Sequence, residues 1–180
     1  MRVLGIDPGL TRCGMGVVDG TVGRPLTLVD VNVLRTSADV PVAQRLVTIL
    51  AGIDAWLDEY SPDAVAVERV FARADVSTIM GTAQASGVAM MLAARAGLPV
   101  ATHTPSEIKA AVTGQGRAGK EQVGRMVCTL LGLETAPCSD HAADALALAI
   151  THIWRGGAQA RIDAALAAQR LAVPARRSST

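Results

Sequence analysis

Aromatic residues are scarce in this 180-residue chain: two Trp, one Tyr and one Phe. Lysine is scarcer than its charge balance suggests, with Lys109 and Lys120 alone against fifteen arginines. The three cysteines, Cys13, Cys128 and Cys138, are odd in number and lack CxxC spacing, which argues against a disulfide framework and a structural zinc site. No apolar run reaches the roughly 18 residues of a membrane span, and the N-terminus lacks a signal-peptide pattern. The expectation is therefore a soluble, cytoplasmic protein with no membrane contact. Net charge is only +1, so there is no global basic signature of a nucleic-acid binder. The glycine-rich stretch Gly114 to Gly119 runs into Lys120-Glu121 rather than Lys-Ser or Lys-Thr, which excludes a Walker A loop. Neither a repeat nor an inter-domain linker divides the chain, whose length suits one core.

What is present follows two periods. Arg2 to Ile6 and Cys13 to Val18 are apolar, β-rich runs joined by the hairpin-like turn 7–12, and Leu26 to Leu34 reads as a third strand. From Pro41 the apolar positions Val42, Leu46, Ile49, Leu50, Ile53 and Leu57 recur at three and four, which predicts an amphipathic helix ended by Ser61-Pro62. Ala64 to Val67 has no polar alternation and reads as a strand buried on both faces. A long helix from Val76 to Ala96, a short strand from Leu98 to Thr102, helices from Pro105 and Lys120, and a last helix from Asp140 to Trp154 complete the pattern. Three strands followed by alternating helices and strands describe an α/β domain, a mixed sheet with helices on both faces. Residues 1–154 form this domain; residues 155–180 carry a net charge of +4 and read as a basic tail, partly helical or disordered, which leaves the first 154 residues at −3.

Some of that acidity falls where structure does not ask for it. Asp7 closes the first strand just before Pro8-Gly9, Glu68 closes the Ala64 to Val67 run, and Asp140-His141-Ala142-Ala143-Asp144 opens the last helix. Each has an ordinary alternative: turn former, solvated strand end, first-turn acid. Three such stations on separate elements of an apolar chain suit a divalent cation, which takes several oxygen ligands. Asp140 and Asp144 are four apart, and His141 and Asp144 three apart, so all can share one helical face.

A second set is basic. Phe71, the sole phenylalanine, sits in Arg69-Val70-Phe71-Ala72-Arg73, where stacking on nucleobases accounts for both ring and arginines. Lys109, Arg117, Lys120 and Arg125 surround the glycine loop with one acid, Glu121; they suit phosphate contact or, equally, a solvated face. His103 and His152 show no partner in the sequence.

Four segments together, 5–9 (Gly-Ile-Asp-Pro-Gly), 66–71, 81–88 and 140–147, resemble the RuvC family of Holliday-junction resolvases, within the RNase H-like superfamily. The resemblance covers residues 1 to about 154. It implies an RNase H-like, mixed five-stranded sheet with metal and catalytic positions at Asp7, Glu68, His141 and Asp144. Many relatives carry Asp where this chain has His141, which leaves open whether His141 binds metal, assists proton transfer or yields to Asp140. Two Mg²⁺ ions per site are implied, with Mn²⁺ the alternative, since imidazole suits manganese better. The implied reaction is paired, symmetric nicking of four-way DNA junctions in recombination and repair, leaving 5′-phosphate and 3′-hydroxyl ends. Phe71, Arg69, Arg73, Lys109, Arg117 and Lys120 would contact DNA. Further implied are a homodimer, with the helix from Val76 a plausible interface, and a branch-migration motor as partner.

Two other readings remain. Gly5-Ile6-Asp7-Pro8-Gly9-Leu10-Thr11 also resembles the opening hairpin of sugar-kinase and actin-like ATPases, but those need a second domain for which 180 residues leave no room. A junction-binding module without activity is the other, and it would shift a junction without nicking it.

Overall fold

The computed structural model describes residues 1–69, 76–134 and 139–172, with side chains in the last stretch as far as Gly156. Its elements are β1 (Arg2–Asp7), β2 (Arg12–Asp19), β3 (Thr27–Arg35), α1 (Val42–Tyr60), β4 (Ala64–Glu68), α2 (Val76–Arg95), β5 (Val100–His103), α3 (Pro105–Thr113), α4 (Lys120–Leu131) and α5 (Asp140–Ala172). The strands form one sheet in the order β3-β2-β1-β4-β5. β1, β2 and β3 are antiparallel neighbours; β1, β4 and β5 run parallel. The expected mixed, five-stranded architecture is the one observed.

Alternation along β1 and β4 divides the core between two faces. Leu4, Ile6, Val65 and Val67 join Ile49 and Ile53 of α1 and Ala85, Ala89 and Leu92 of α2. Val3 and Ala66 face the other way, onto α3, α4 and α5 through Ile108, Val127, Leu146 and Ile150. α2 is long and apolar enough, by length and composition, to cross a membrane, although the sequence offers no unbroken apolar run of that length. Instead it packs one face on α1 and β4 and leaves Val76, Met80, Met90 and Met91 exposed.

Helix α5 lies directly on the sheet because β1 and β2 carry glycine beneath it. A Cβ on Gly5 would stand 2.1 Å from the Ala145 carbonyl oxygen, and one on Gly14 2.1 Å from that of His141. No other residue fits at such approach. This contact sets the start of α5 over the ends of β1 and β2.

Two boundaries differ from the sequence pattern by more than one residue. β5 begins at Val100, not Leu98, because Leu98 N–H closes the end of α2 on the Ala93 carbonyl (3.0 Å) around left-handed Gly97. α5 continues past Trp154 to Ala172, since alanine-rich sequence free of proline extends to Val173.

Candidate active site

The parallel register of β1 and β4 pairs Ile6 with Val67, so the next step puts Asp7 beside Glu68 at the same sheet edge. α5 then crosses above them. Its first turn is held by Ser139, whose hydroxyl accepts from Ala142 N–H at 3.3 Å, which makes Asp140 a first-turn acid rather than the cap. His141 Nδ1 and Asp7 Oδ2 are hydrogen-bonded at 2.7 Å. One turn along, Asp144 is largely buried behind them. Asp7, Glu68, His141 and Asp144, four residues spread over 138 positions, thus come close enough to act on one another's charge.

Their electrostatics are those of crowded acids. Burial pushes the Glu68 carboxyl up to about 7, with the Asp7 and Asp144 charges adding to it. Asp144 is likewise pushed up to about 6, first by burial and then by Asp7. His141 is raised by its hydrogen bond to Asp7. A carboxyl lifted by burial and like charge is a group short of a cation.

Hard oxygen donors of this kind fit Mg²⁺ or Mn²⁺. Among the described residues, however, no three His, Cys, Asp or Glu side chains stand in ligand geometry around one point. The physical reason is visible: Asp7 spends one oxygen on His141, and Glu68 and Asp144 gain nothing by approaching another anion unaided. The chemistry of the donor set fits such a cation.

Two lysines reach the same edge from α3 and α4. Lys109 and Lys120 both act on Glu68, and Lys120 also on Asp144, in each case favouring the ionised acid. Lys120 Nζ lies 3.3 Å from Asp140 Oδ2, an exposed pair at the rim. Between the two helices the glycine segment is pinned: Thr113 Oγ1 accepts from Gln115 N–H at 3.1 Å, Gly114 is left-handed, and Ala118 is buried. Arg117 is exposed on this segment. Arg69, just past Glu68, is exposed and donates to Thr102 Oγ1 at 3.2 Å. Phe71 and Arg73 lie outside the described residues.

His103 and His152, partnerless in the sequence, pair with each other, with Nε2 and Nδ1 3.3 Å apart. Burial pushes His103 down to about 4 and lowers His152 as well, so the pair is neutral near pH 7. His103 is the strand partner of Glu68, and its neutrality adds no cation there.

Sequence reading missed the residues on the other flank of Asp7. A cavity of about 530 Å³ opens from Asp7 and His141 between the β1–β2 turn and the starts of α1 and α2, and Arg45 and Arg12 line it. The signal was present: Arg45 stands four residues before Ile49 and eight before Ile53, in the buried stripe of α1.

Comparisons with known proteins point to one family. The sequence description of the family "Crossover junction endodeoxyribonuclease RuvC" matches residues 3–152. A protein of that name from Nocardioides sp. is 75% identical over 177 residues, 98% of this chain and 100% of the relative. Another from Streptomyces griseus is 65% identical over 170 residues, covering 94% of this chain and 83% of its own. Among solved structures, Thermus thermophilus RuvC in complex with a Holliday junction substrate superposes with a TM-score of 0.83 at 38% identity, over 88% of this chain and 96% of that one. The yeast mitochondrial Holliday junction resolvase shares the fold, with a TM-score of 0.61 at 12% identity over 93% of this chain and 85% of that one. With a mixed five-stranded sheet that matches solved RuvC structures and a sequence matched from the first strand into the last helix, the chain belongs to the RuvC family of crossover junction endodeoxyribonucleases.

Proposed function

We propose that this chain resolves four-way DNA junctions by hydrolysing one phosphodiester in each of two symmetrically placed strands, leaving ligatable 5′-phosphate and 3′-hydroxyl ends. The observation that carries the reading is the convergence of Asp7, Glu68 and Asp144 from three separate elements, with the pKa values of Glu68 and Asp144 raised above the ordinary carboxyl range.

Divalent cations, two Mg²⁺ or alternatively Mn²⁺, would supply Lewis acidity for the attacking water and the leaving 3′ oxygen. Asp7, Glu68 and Asp144 would hold the cations through oxygen; His141 would complete the set or, from its place on Asp7 Oδ2, keep that carboxylate oriented. Lys109 and Lys120 face the scissile phosphate from the α3 and α4 side and offset its charge. Arg69 and Arg117 touch backbone phosphates further out, and Phe71 with Arg73 enters the crossover by stacking.

A junction has two strands to cut, and a homodimer presents two such sites. The exposed side of α2, with Val76, Met80, Met90 and Met91, has the composition of an interface between two copies. A branch-migration motor that delivers junctions, and a cytoplasmic location beside the chromosome, belong to the same reading.

The test is a synthetic mobile junction incubated with the purified protein and Mg²⁺ or Mn²⁺. The expected result is paired nicks that DNA ligase reseals without added kinase. A shifted junction with intact strands in both metals would reduce the protein to a binding module.

A further inference from the structure

Arg45 is 7% exposed, and its guanidinium donates only to neutral groups, Thr36 Oγ1 at 2.8 Å and Thr11 Oγ1 at 2.7 Å. The same two threonines tie the β1–β2 turn to the end of β3: Thr36 N–H bonds the Thr11 carbonyl at 3.1 Å, and Thr36 Oγ1 the Leu10 carbonyl at 2.5 Å. Those bonds satisfy two of the fork's nitrogens but leave its charge without a counter-ion. A buried cation in that state is costly unless an anion joins it.

A second observation on the same edge is independent of the first. Arg12 and Arg35 face each other across the antiparallel β2–β3 register, both exposed. Like charges directly opposite on a sheet destabilise it. Among the described residues, none of Arg12, Arg35 and Arg45 takes part in an ion pair. The one carboxylate lining the 530 Å³ cleft shared by Arg12 and Arg45 is Asp7, already engaged by His141.

We infer that this arginine-lined cleft is a seat for a backbone phosphodiester of the strand being cut, next to the scissile one. This rests on the reading of the chain as a junction nuclease. A strand whose scissile phosphate lies at Asp7 carries its next charge about 3.4 Å further along the helix axis. Lys109 and Lys120 stand on one side of Asp7; on the other side that next charge meets the cleft. Arg45 offers at the cleft wall the N–H groups that the two threonines leave over, suited to phosphate oxygen, while Arg12 and Arg35 draw the strand in from outside. The three arginines and two lysines thus bracket the carboxylates, and the cut strand runs between them.

Binding is measured on the full-length protein with a synthetic junction in EDTA, so that cleavage plays no part. Arg12→Gln/Arg35→Gln should bind roughly 10-fold more weakly at moderate salt, with a plot of log affinity against log salt shallower by about 1 to 2. Its thermal midpoint should hold or rise, because the like-charge pair is gone. Arg45→Lys keeps the charge and loses the fork, so it should weaken binding with little change in salt slope. A junction series with single methylphosphonate linkages then locates the phosphate. At one position beside the cut, the neutral linkage should weaken the unaltered protein several-fold and the double variant not at all. The seat is refuted if the double variant keeps the parental affinity and slope, or if every neutral linkage costs both proteins alike. Failure of the unaltered protein to nick would instead count against the nuclease reading, since the binding measurements stand apart from it.

Discussion

The two ends of strand β1 carry charge in opposite ways. At its start, Arg2 forks onto Asp19 (Nε–Oδ1 2.9 Å, Nη2–Oδ2 2.8 Å), gives Nη1 to the Tyr60 carbonyl at 3.0 Å, and donates its backbone N–H to Asp63 at 2.6 Å. Arg2 holds the Asp19 carboxyl below its usual range. At the other end, Asp7 meets two further acids, and those are pushed upward. One end is electrostatically complete within the chain; the other becomes complete only with something added. Five residues apart on one strand, matched charge marks architecture and unmatched charge marks chemistry.

The strongest way to break the contrast is Asp7→Asn, which removes the central charge while keeping shape. Junction cleavage should fall by roughly 10³-fold or more, the equivalent of several kcal/mol of transition-state stabilisation, while junction binding persists. Gel assays of nicking and of mobility shift read the two separately, and undiminished nicking would remove Asp7 from the site. Gly14→Ala attacks the placement of α5 instead: its Cβ would press on the His141 carbonyl, and the cost should be about 1 to 3 kcal/mol in denaturant unfolding, with reduced nicking.

Protons and metal should compete at the frustrated end. Glu68 and Asp144 have folded-state pKa values of about 7 and about 6, raised above their unfolded values. Stability from these groups is therefore complete below about pH 4 and lost as pH rises through 6 to 7. A divalent cation should restore it where protons no longer can. The rise in melting temperature on adding Mg²⁺ should be several degrees at pH 8 and small at pH 5, on the order of 2 kcal/mol between the two conditions. An equal rise at both values would mean that the cation binds elsewhere.

The smallest effect belongs to the matched end. Asp19→Asn should cost less than about 1 kcal/mol, as part-exposed pairs do, and leave nicking unchanged. A large loss of cleavage from that variant would erase the distinction between the two ends.

Much of this was legible in residue order. Periodicity, unbroken apolar runs and turn residues placed the ten described elements, because a strand or helix buried on one side repeats apolar residues at its own geometry and one buried on both faces is apolar throughout. Asp7 and Glu68 were readable because each breaks an apolar run just where a strand stops. Leu98 was misassigned because its backbone bond to Ala93 is a capping contact that composition does not signal. The His103–His152 pair spans 49 residues and exists only once β5 and α5 pack together. Arg45 was visible as a charge in an apolar stripe, yet its meaning depended on what surrounds it.

Local chemistry thus determined which segments form strands and helices and which side chains are out of place in them, since periodicity, turn residues and caps act over a few positions. Tertiary structure alone decided which misplaced charges meet partners and which meet one another. Register between β1 and β4 and glycine-permitted contact with α5 bring Asp7, Glu68 and Asp144 together, and electrostatic energy depends on distance in space rather than along the chain.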